Sequence, residues 1–257
     1  MKMKVTLLGT GTSVGVPQLG CTCKVCKSKD KHDKRLRTSA LLETESTRIL
    51  IDCGPDFRQQ MMHMPFRKID AVMLTHRHYD HVAGIDDLRP FCAFGSIGVF
   101  ADEATARSLH QTMPYCFYET LYPGVPKINL QSVTLHKPLQ IGDISIVPFV
   151  VMHDKMPVLA FRIGSFAYIT DMKTISESEM PYVEGVKTLV VNALRFNKEH
   201  HSHMLVADAI DFAKRVGATK TVFTHTTHDI GFHDEANALL PQNFCFGYDG
   251  MTFSVDV

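Results

Sequence analysis

The sequence predicts an α/β fold in which two β-sheets stack face to face and helices cover the outside. Short apolar runs of strand length recur along nearly the whole chain. A helical apolar stripe with basic residues near its end is clear at 204–216. The length of 257 residues is large for one domain, but a two-sheet sandwich can use all of it. We therefore expect a single domain over residues 1–257.

The individual elements follow from periodicity and from turn residues. Strands are predicted at 5–8, 39–44, 48–52, 71–74, 99–101, 130–135, 139–141, 144–151, 159–163, 167–170, 189–192, 220–223 and 252–255. Helices are predicted at 57–64, 82–91, 102–110 with Asp102 as the cap, and 204–216 closed by Gly217.

Three connecting segments have distinct compositions. The glycine-rich loop 9–17 lacks the Gly-Lys-Ser/Thr of a phosphate-binding loop, so its glycines indicate tight turning instead. The polar segment 27–37 predicts an exposed loop. The segment 113–126 is rich in Tyr, Phe and Pro, which fits either a packed surface excursion or a substrate-facing wall.

Composition excludes several classes of protein. Lys+Arg and Asp+Glu both number 27, so no basic excess supports binding to nucleic-acid phosphates. Seven cysteines, three of them within 21–26, argue against a disulfide framework. The first apolar run is short for a signal peptide, and no run approaches the roughly 18 residues of a membrane span. We expect a cytoplasmic protein with no membrane partner.

The stretch 75–81 carries the strongest chemical signal. His76, His78, Asp80 and His81 follow the apolar strand 71–74 and precede a helix. Imidazole nitrogen and carboxylate oxygen are common ligands of divalent metals. His76 and His78 point the same way on an extended segment and can hold one metal. Asp80 and His81 can face a second, since two-metal hydrolases hold their ions about 3.5–4 Å apart.

Three later residues repeat this context. His153, Asp171 and His225 each come just past an apolar strand, as His76 does. Four repeats of one arrangement predict that these strand ends open on a single site.

The stretch 76–81 fits the H-x-H-x-D-H signature of the metallo-β-lactamase superfamily, and the chain resembles it. The resemblance implies an αββα sandwich of two mixed sheets. It also implies that His76, His78 and His153 hold one ion, that Asp80, His81 and His225 hold the other, and that Asp171 bridges both. The ions would be Zn or Mn, with Fe as a further option, and a metal-bridging hydroxide would be the nucleophile.

Two further motifs narrow the resemblance. Gly-Thr-Gly-Thr-Ser-Val-Gly-Val-Pro at 9–17, the cysteines Cys21, Cys23 and Cys26, and Thr-His-Thr-Thr-His at 224–228 resemble the PhnP-like cyclic-phosphate phosphodiesterases of the carbon–phosphorus lyase pathway. The resemblance implies a structural zinc on the three cysteines and His228; a redox or loose thiol cluster is the alternative. A homodimer is also suggested by it.

The resemblance further implies a histidine general acid. His203, directly before the helix 204–216, fits that place best and would work with Asp80, although His200 and His201 remain alternatives. Arg195 fits either a phosphate contact or a structural role.

The resemblance implies metal-dependent hydrolysis of a small cyclic phosphodiester, of the phosphoribosyl cyclic phosphate or nucleoside 2′,3′-cyclic phosphate type. The alternatives are a tRNA 3′-processing endonuclease, against which the zero net charge argues, a lactone or thioester hydrolase, and a binding protein with an inactive centre.

Overall fold

The computed structural model describes residues 1–257 and consists of two seven-stranded β-sheets with helices on their outer faces. The strands are β1 (Lys2–Gly9), β2 (Ser39–Glu43), β3 (Arg48–Ile51), β4 (Ala71–Met73), β5 (Ile97–Ala101), β6 (Ile128–Ser132), β7 (Leu139–Ile141), β8 (Ile144–His153), β9 (Met156–Ile163), β10 (Phe166–Tyr168), β11 (Thr188–Asn192), β12 (Lys220–Thr224), β13 (Phe244–Phe246) and β14 (Thr252–Asp256). The α-helices are α1 (Phe57–Met61), α2 (Tyr79–Val82), α3 (Glu103–Thr112), α4 (Val206–Val216) and α5 (His233–Ala238).

Both sheets are mixed. The first has the order β14-β1-β2-β3-β4-β5-β6 and becomes parallel from β3 onwards. The second has the order β13-β12-β11-β10-β9-β8-β7 and is parallel from β10 to β13. This arrangement confirms the predicted αββα sandwich.

Three apolar clusters explain the layering. The central cluster joins side chains of both sheets, for example Leu7 of β1 and Phe161 of β9. A second packs α4 on the outer face of the second sheet, and a third packs α1 and the segment Ile85–Phe94 on the first. Strands such as β3 are buried on both faces, which accounts for their continuous apolar sequence.

The helix that follows the metal motif begins earlier than the sequence predicts. α2 starts at Tyr79, so Asp80 and His81 lie in its first turn. The segment Ile85–Phe94 is a 3-10 helix that contains Pro90, whose missing N–H cannot enter an α-helical ladder. Strand β13 and helix α5 were not predicted, because each is short.

The prediction of an exposed loop at 27–37 is wrong for its second half. Arg35 is only 3% exposed. Its guanidinium donates to Thr10 Oγ1 at 2.8 Å, to the Gly247 carbonyl at 2.6 Å and to His233 Nδ1 at 3.1 Å. These long-range acceptors make the burial of an arginine tolerable, and a local sequence pattern does not reveal them.

None of the helices has both the length and the hydropathy that crossing a membrane would require.

Candidate metal centre

The seven residues expected to bind two metals meet at one end of the sandwich. His76 lies shortly after β4 of the first sheet, and the motif runs directly into α2. His153 ends β8, whereas Asp171 and His225 follow β10 and β12 of the same second sheet. The two sheets are joined beside the site, since the Leu159 amide donates to the Thr75 carbonyl at 2.9 Å.

Asp171 lies at the centre of this cluster. Its Oδ1 lies 3.3 Å from His81 Nε2, and its Oδ2 lies 3.3 Å from His225 Nε2. The same Oδ2 is 3.9 Å from His76 Nε2. Asp80 Oδ2 approaches the His81 and His225 Nε2 atoms at 3.2 and 3.8 Å. One carboxylate therefore contacts ligand atoms from both predicted sets.

The potential ligand atoms fall into overlapping groups. In each group the atoms lie within 4.8 Å of one another. The groups are His76, His81 and Asp171; His78, His153 and Asp171; and Asp80, His81 and His225. Asp171 and His81 each belong to two groups, as expected for neighbouring ion positions.

Buried nitrogen atoms without partners test whether metals fit here. Nε2 of His76, of His81 and of His225 is buried and has no hydrogen-bond partner. Such atoms are costly unless something satisfies them. A divalent cation bound by mixed nitrogen and oxygen ligands would satisfy all three nitrogen atoms. These residues are therefore suited to binding divalent metal ions.

The charge of the site also favours cations. Burial lowers the pKa of His81, but Asp171 and Asp52 outweigh burial, and the net pKa lies well above its usual value. Burial raises the pKa of Asp171, but His225 and His81 outweigh it, and the carboxyl stays ionised. The site thus holds concentrated negative charge that stabilises positive charge placed beside it.

Neighbouring hydrogen bonds orient the ligand histidines. His81 Nδ1 donates to Asp52 Oδ2 at 2.6 Å. His76 Nδ1 lies 3.0 Å from the hydroxyl of Thr75, which itself donates to Asp52. His153 Nδ1 donates to the Ser202 carbonyl at 2.9 Å. All three rings therefore present Nε2 to the site.

Asp52 was not singled out from the sequence. It is fully buried, and beyond His81 it accepts hydrogen bonds from the Thr75 amide and hydroxyl. Its position just past strand β3, the same context as the ligands, is the signal that could have identified it.

Backbone conformation at the site is unusual. Asp52, Asp171 and His225 have φ values of 59, 56 and 54°, in a region that side-chain-bearing residues rarely adopt. Such strain persists where surrounding contacts over-determine the conformation. At these three positions, this backbone conformation occurs at the end of a strand, beside the metal-binding cluster.

Gly54 allows the metal motif to pack closely. A Cβ at Gly54 would lie 2.0 Å from the Asp80 carbonyl oxygen. Any larger residue would displace the first turn of α2, which carries Asp80 and His81.

The structure separates the three candidate acid histidines. The His203 ring lies 4.5 Å from the His153 ring and 4.8 Å from that of His225, and the residue is 7% exposed. The His200 ring lies 5.0 Å from the His203 ring but against none of the metal-binding histidines, and His201 is exposed and stacks on His200.

Arg195 has a structural role in this structure. Its guanidinium donates to the Lys198 carbonyl at 2.8 Å and lies 3.4 Å from both the Glu199 carbonyl and Asp229 Oδ2. These contacts hold the loop that carries the candidate acid histidines.

The three cysteines lie around His228. Its Nδ1 is 3.3 Å from Cys21 Sγ, 3.5 Å from Cys23 Sγ and 3.0 Å from Cys26 Sγ. The Cys26 amide donates to Cys23 Sγ, and this bond is the largest of the contributions that lower the pKa of Cys23 to about 7. A cluster of three thiols and one imidazole with an available thiolate fits tetrahedral zinc.

Comparison with known proteins agrees with this geometry. The family model of the beta-lactamase superfamily domain matches residues 47–226. The match covers the whole of the stretch 76–81 as well as His153, Asp171 and His225.

Two similar proteins extend the match to nearly the whole chain. The crystal structure of a new diphosphatase from the PhnP family has 34% identity and a TM-score of 0.91, with 99% of this chain and 98% of that chain covered. An octanoyltransferase of Porphyromonas gingivalis is 42% identical over 255 residues, which are 99% of this chain and 52% of that protein. The chain spans about half the length of the curated relatives it matches.

A third comparison concerns the fold alone. The short form of human tRNase Z has 18% identity and a TM-score of 0.73, with 99% of this chain and all of that chain covered.

Proposed function

The chain belongs to the beta-lactamase superfamily and within it to the PhnP family, and on this premise we propose that it is a dinuclear phosphodiesterase acting on a small cyclic phosphodiester. Membership makes the chain a metal-dependent hydrolase. The number of metals, the phosphodiester chemistry and the cyclic substrate are the proposal.

One observation carries the proposal. Six nitrogen- and oxygen-bearing side chains surround Asp171, whose oxygens approach His81 and His225 of one expected ligand set and His76 of the other. Two overlapping sets of ligand atoms around one carboxylate fit a pair of neighbouring ions better than a single ion.

Each part of the ligand set has an assigned role. His76, His78 and His153 would hold one ion, Asp80, His81 and His225 the other, and Asp171 both. When bound, two divalent cations supply positive charge that acidifies water and neutralises phosphate oxygens.

The proton for the leaving oxygen is assigned to His203. Burial and the neighbouring His225 lower its pKa, so the free site holds its ring neutral. A bound phosphate would add negative charge beside the ring and favour its protonated form. Of the three candidate histidines, His203 alone has its ring against the rings of His153 and His225.

The proposed substrate is small. Phosphoribosyl cyclic phosphate and nucleoside 2′,3′-cyclic phosphates are the favoured types. The balance of 27 basic and 27 acidic residues gives no support for gripping a tRNA.

Hydrolysis of an acyl ester or thioester is a second candidate. The observation in its favour is the 42% identity to a protein named octanoyltransferase. The same cation pair could activate water toward a carbonyl carbon.

The experiment uses chelator-stripped protein refilled with Mn or Zn. Substrates are bis(p-nitrophenyl) phosphate, 2′,3′-cyclic nucleotides and an octanoyl thioester. We expect metal-restored turnover of the phosphodiesters and a preference for the cyclic ones. Turnover of the thioester alone would replace the proposal with the second candidate. His203→Gln provides an internal test, because it should slow poor leaving groups far more than p-nitrophenolate.

A further inference from the structure

His225 differs from the other buried metal-binding histidines in how its ring is held. Nδ1 of His76, of His81 and of His153 each has a hydrogen-bond partner, at 3.0, 2.6 and 2.9 Å. Nδ1 of His225 is buried and has no partner. Because no hydrogen bond to the ring fixes its orientation, the position of its Nε2 depends on where the backbone and the surrounding packing place residue 225.

The backbone directly after His225 is fixed by the glycine-rich loop. The Thr226 amide donates to the Thr10 carbonyl at 3.0 Å, and the Thr12 amide donates to the Thr226 carbonyl at 3.2 Å. Between these two bonds, Gly11 and Thr226 form a parallel β-bridge. His225 itself has a φ of 54°, a conformation that persists where its neighbours are held in place. A displacement of the loop would therefore move the backbone that carries this ligand.

Thr10 is held in turn by two buried charged side chains. Its Oγ1 accepts a hydrogen bond from the Arg35 guanidinium and donates one to Asp249 Oδ1, both at 2.8 Å. Asp249 Oδ2 accepts from the Leu36 amide at 2.6 Å, and the Leu36 carbonyl accepts from the Gly11 amide at 2.8 Å. Thr10 is 0% exposed, so water cannot replace these bonds if they are lost.

The glycines on either side of Thr10 allow this close packing. A Cβ at Gly9 would lie 2.0 Å from the Arg37 carbonyl oxygen, and a Cβ at Gly11 would lie 2.8 Å from the Arg35 carbonyl oxygen. The Gly-Thr-Gly motif at 9–11 therefore brings the Thr10 hydroxyl against the segment 35–37.

We propose that Thr10, together with Arg35 and Asp249, positions His225 and thereby sets the affinity of the site for one of its two ions. The inference rests on the proposed function, because it assigns these residues to the ion expected on the ligand set that contains His225. Burial of the two charged side chains costs desolvation free energy. Their hydrogen bonds to Thr10 offset part of this cost and hold the loop in one arrangement.

The test measures metal binding directly. Protein stripped of its active-site metals is titrated with Mn(II), and the free ion is counted by electron paramagnetic resonance. Mn(II) prefers oxygen and nitrogen ligands to thiolates, so the cysteine cluster is not counted. Thr10→Val keeps the shape of the side chain but removes both hydrogen bonds, and it should weaken the binding of one Mn(II) about tenfold while the other changes little. Thr10→Ser keeps the hydroxyl and should bind both ions as the unchanged protein does.

Thr44→Val is the matched control. Thr44 Oγ1 donates to Asp143 Oδ1 at 2.8 Å and accepts from the Thr47 amide at 3.0 Å, so it also has one carboxylate acceptor and one donor. It lies in the turn between β2 and β3, at the end of β3 opposite to Asp52. This variant should lower the melting temperature but leave the binding of both Mn(II) ions unchanged.

Asp249→Asn provides a milder variant. An amide has one acceptor oxygen where the carboxylate has two, so the bond from Thr10 or the bond from the Leu36 amide is lost. We expect weakening of the same single ion, by less than in Thr10→Val. If Thr10→Val does not fold, Asp249→Asn decides the proposal.

The outcomes separate this inference from the proposed function. Unchanged Mn(II) binding by a folded variant, equal weakening of both ions, or the same loss in Thr44→Val would overturn the positioning role alone. If the unchanged protein hydrolyses no phosphate ester with Mn or Zn, the proposed function fails and the titration still decides the positioning role. Binding of a single Mn(II) would overturn the dinuclear centre, and weakening of that ion by Thr10→Val but not by Thr44→Val would still support the role of Thr10.

Discussion

The cluster of histidines and aspartates at the strand ends and the cysteine cluster are assembled in different ways. The histidines of the first are buried at strand ends and are oriented by Asp52, Thr75 and the Ser202 carbonyl. The cysteines lie in a segment without strand or helix, and Cys23 is exposed. The difference teaches that the fold prepares the first site before metal binds, whereas metal is expected to complete the second and tie the N-terminal loop to the segment after β12.

The largest expected effect comes from the site that the fold prepares. His76→Ala should lower turnover by about 10³-fold or more, because one ion loses a ligand, while the protein stays folded. Kinetics and thermal unfolding of the metal-loaded protein measure the two effects. His63→Ala, at an exposed position on the surface, is the control. Full activity of a folded, metal-free His76→Ala protein would contradict the mechanism.

A smaller effect is expected when the hydrogen bond that orients a metal-binding histidine is changed. Asp52→Asn keeps the size of the side chain but places an amide opposite His81 Nδ1, so turnover and metal affinity should fall about 10- to 100-fold. Metal titration and kinetics check this, with exposed Asp211→Asn as the control. If metal affinity is unchanged, Asp52 does not prepare the site.

The cysteine cluster should show the opposite balance between activity and stability. Cys23→Ser should remove one zinc per chain and lower the melting temperature, while the protein that remains folded keeps most of its turnover. Metal analysis and calorimetry measure both. Cys245→Ser, at a half-buried cysteine of β13, should retain the zinc. Unchanged metal content in Cys23→Ser would contradict the structural-zinc assignment.

The smallest effect concerns pH and a group outside both clusters. Burial and the Arg35 charge lower the pKa of His233 to about 4, against about 6.5 when unfolded. The unfolded state therefore binds more protons between these values, and the free energy of unfolding should fall as pH drops from 6.5 to 4, by at most about 3 kcal/mol.

Comparison with His233→Gln isolates this contribution. Burial raises the pKa of Asp249 to about 6, and this acts with the opposite sign in part of the same range. The difference between wild-type and His233→Gln unfolding curves at each pH removes that shared term. Parallel pH profiles for the two proteins would show that His233 does not contribute.

The sequence by itself predicted the two-sheet sandwich and the residues expected to bind metal. Many strands are apolar runs bounded by polar residues, and His76, His153, Asp171 and His225 all follow such runs, so the local pattern is enough to locate them. Short elements such as β13 and α5 lack enough periodicity to be recognised in this way.

Only the tertiary structure decided which polar groups support the site. Asp52 and His81 are 29 residues apart, and Cys21 and His228 are 207 apart. Arg35 is buried because its hydrogen-bond acceptors come from distant segments of the chain. The physical reason is that hydrogen bonding and desolvation depend on neighbours in space, which sequence periodicity does not specify.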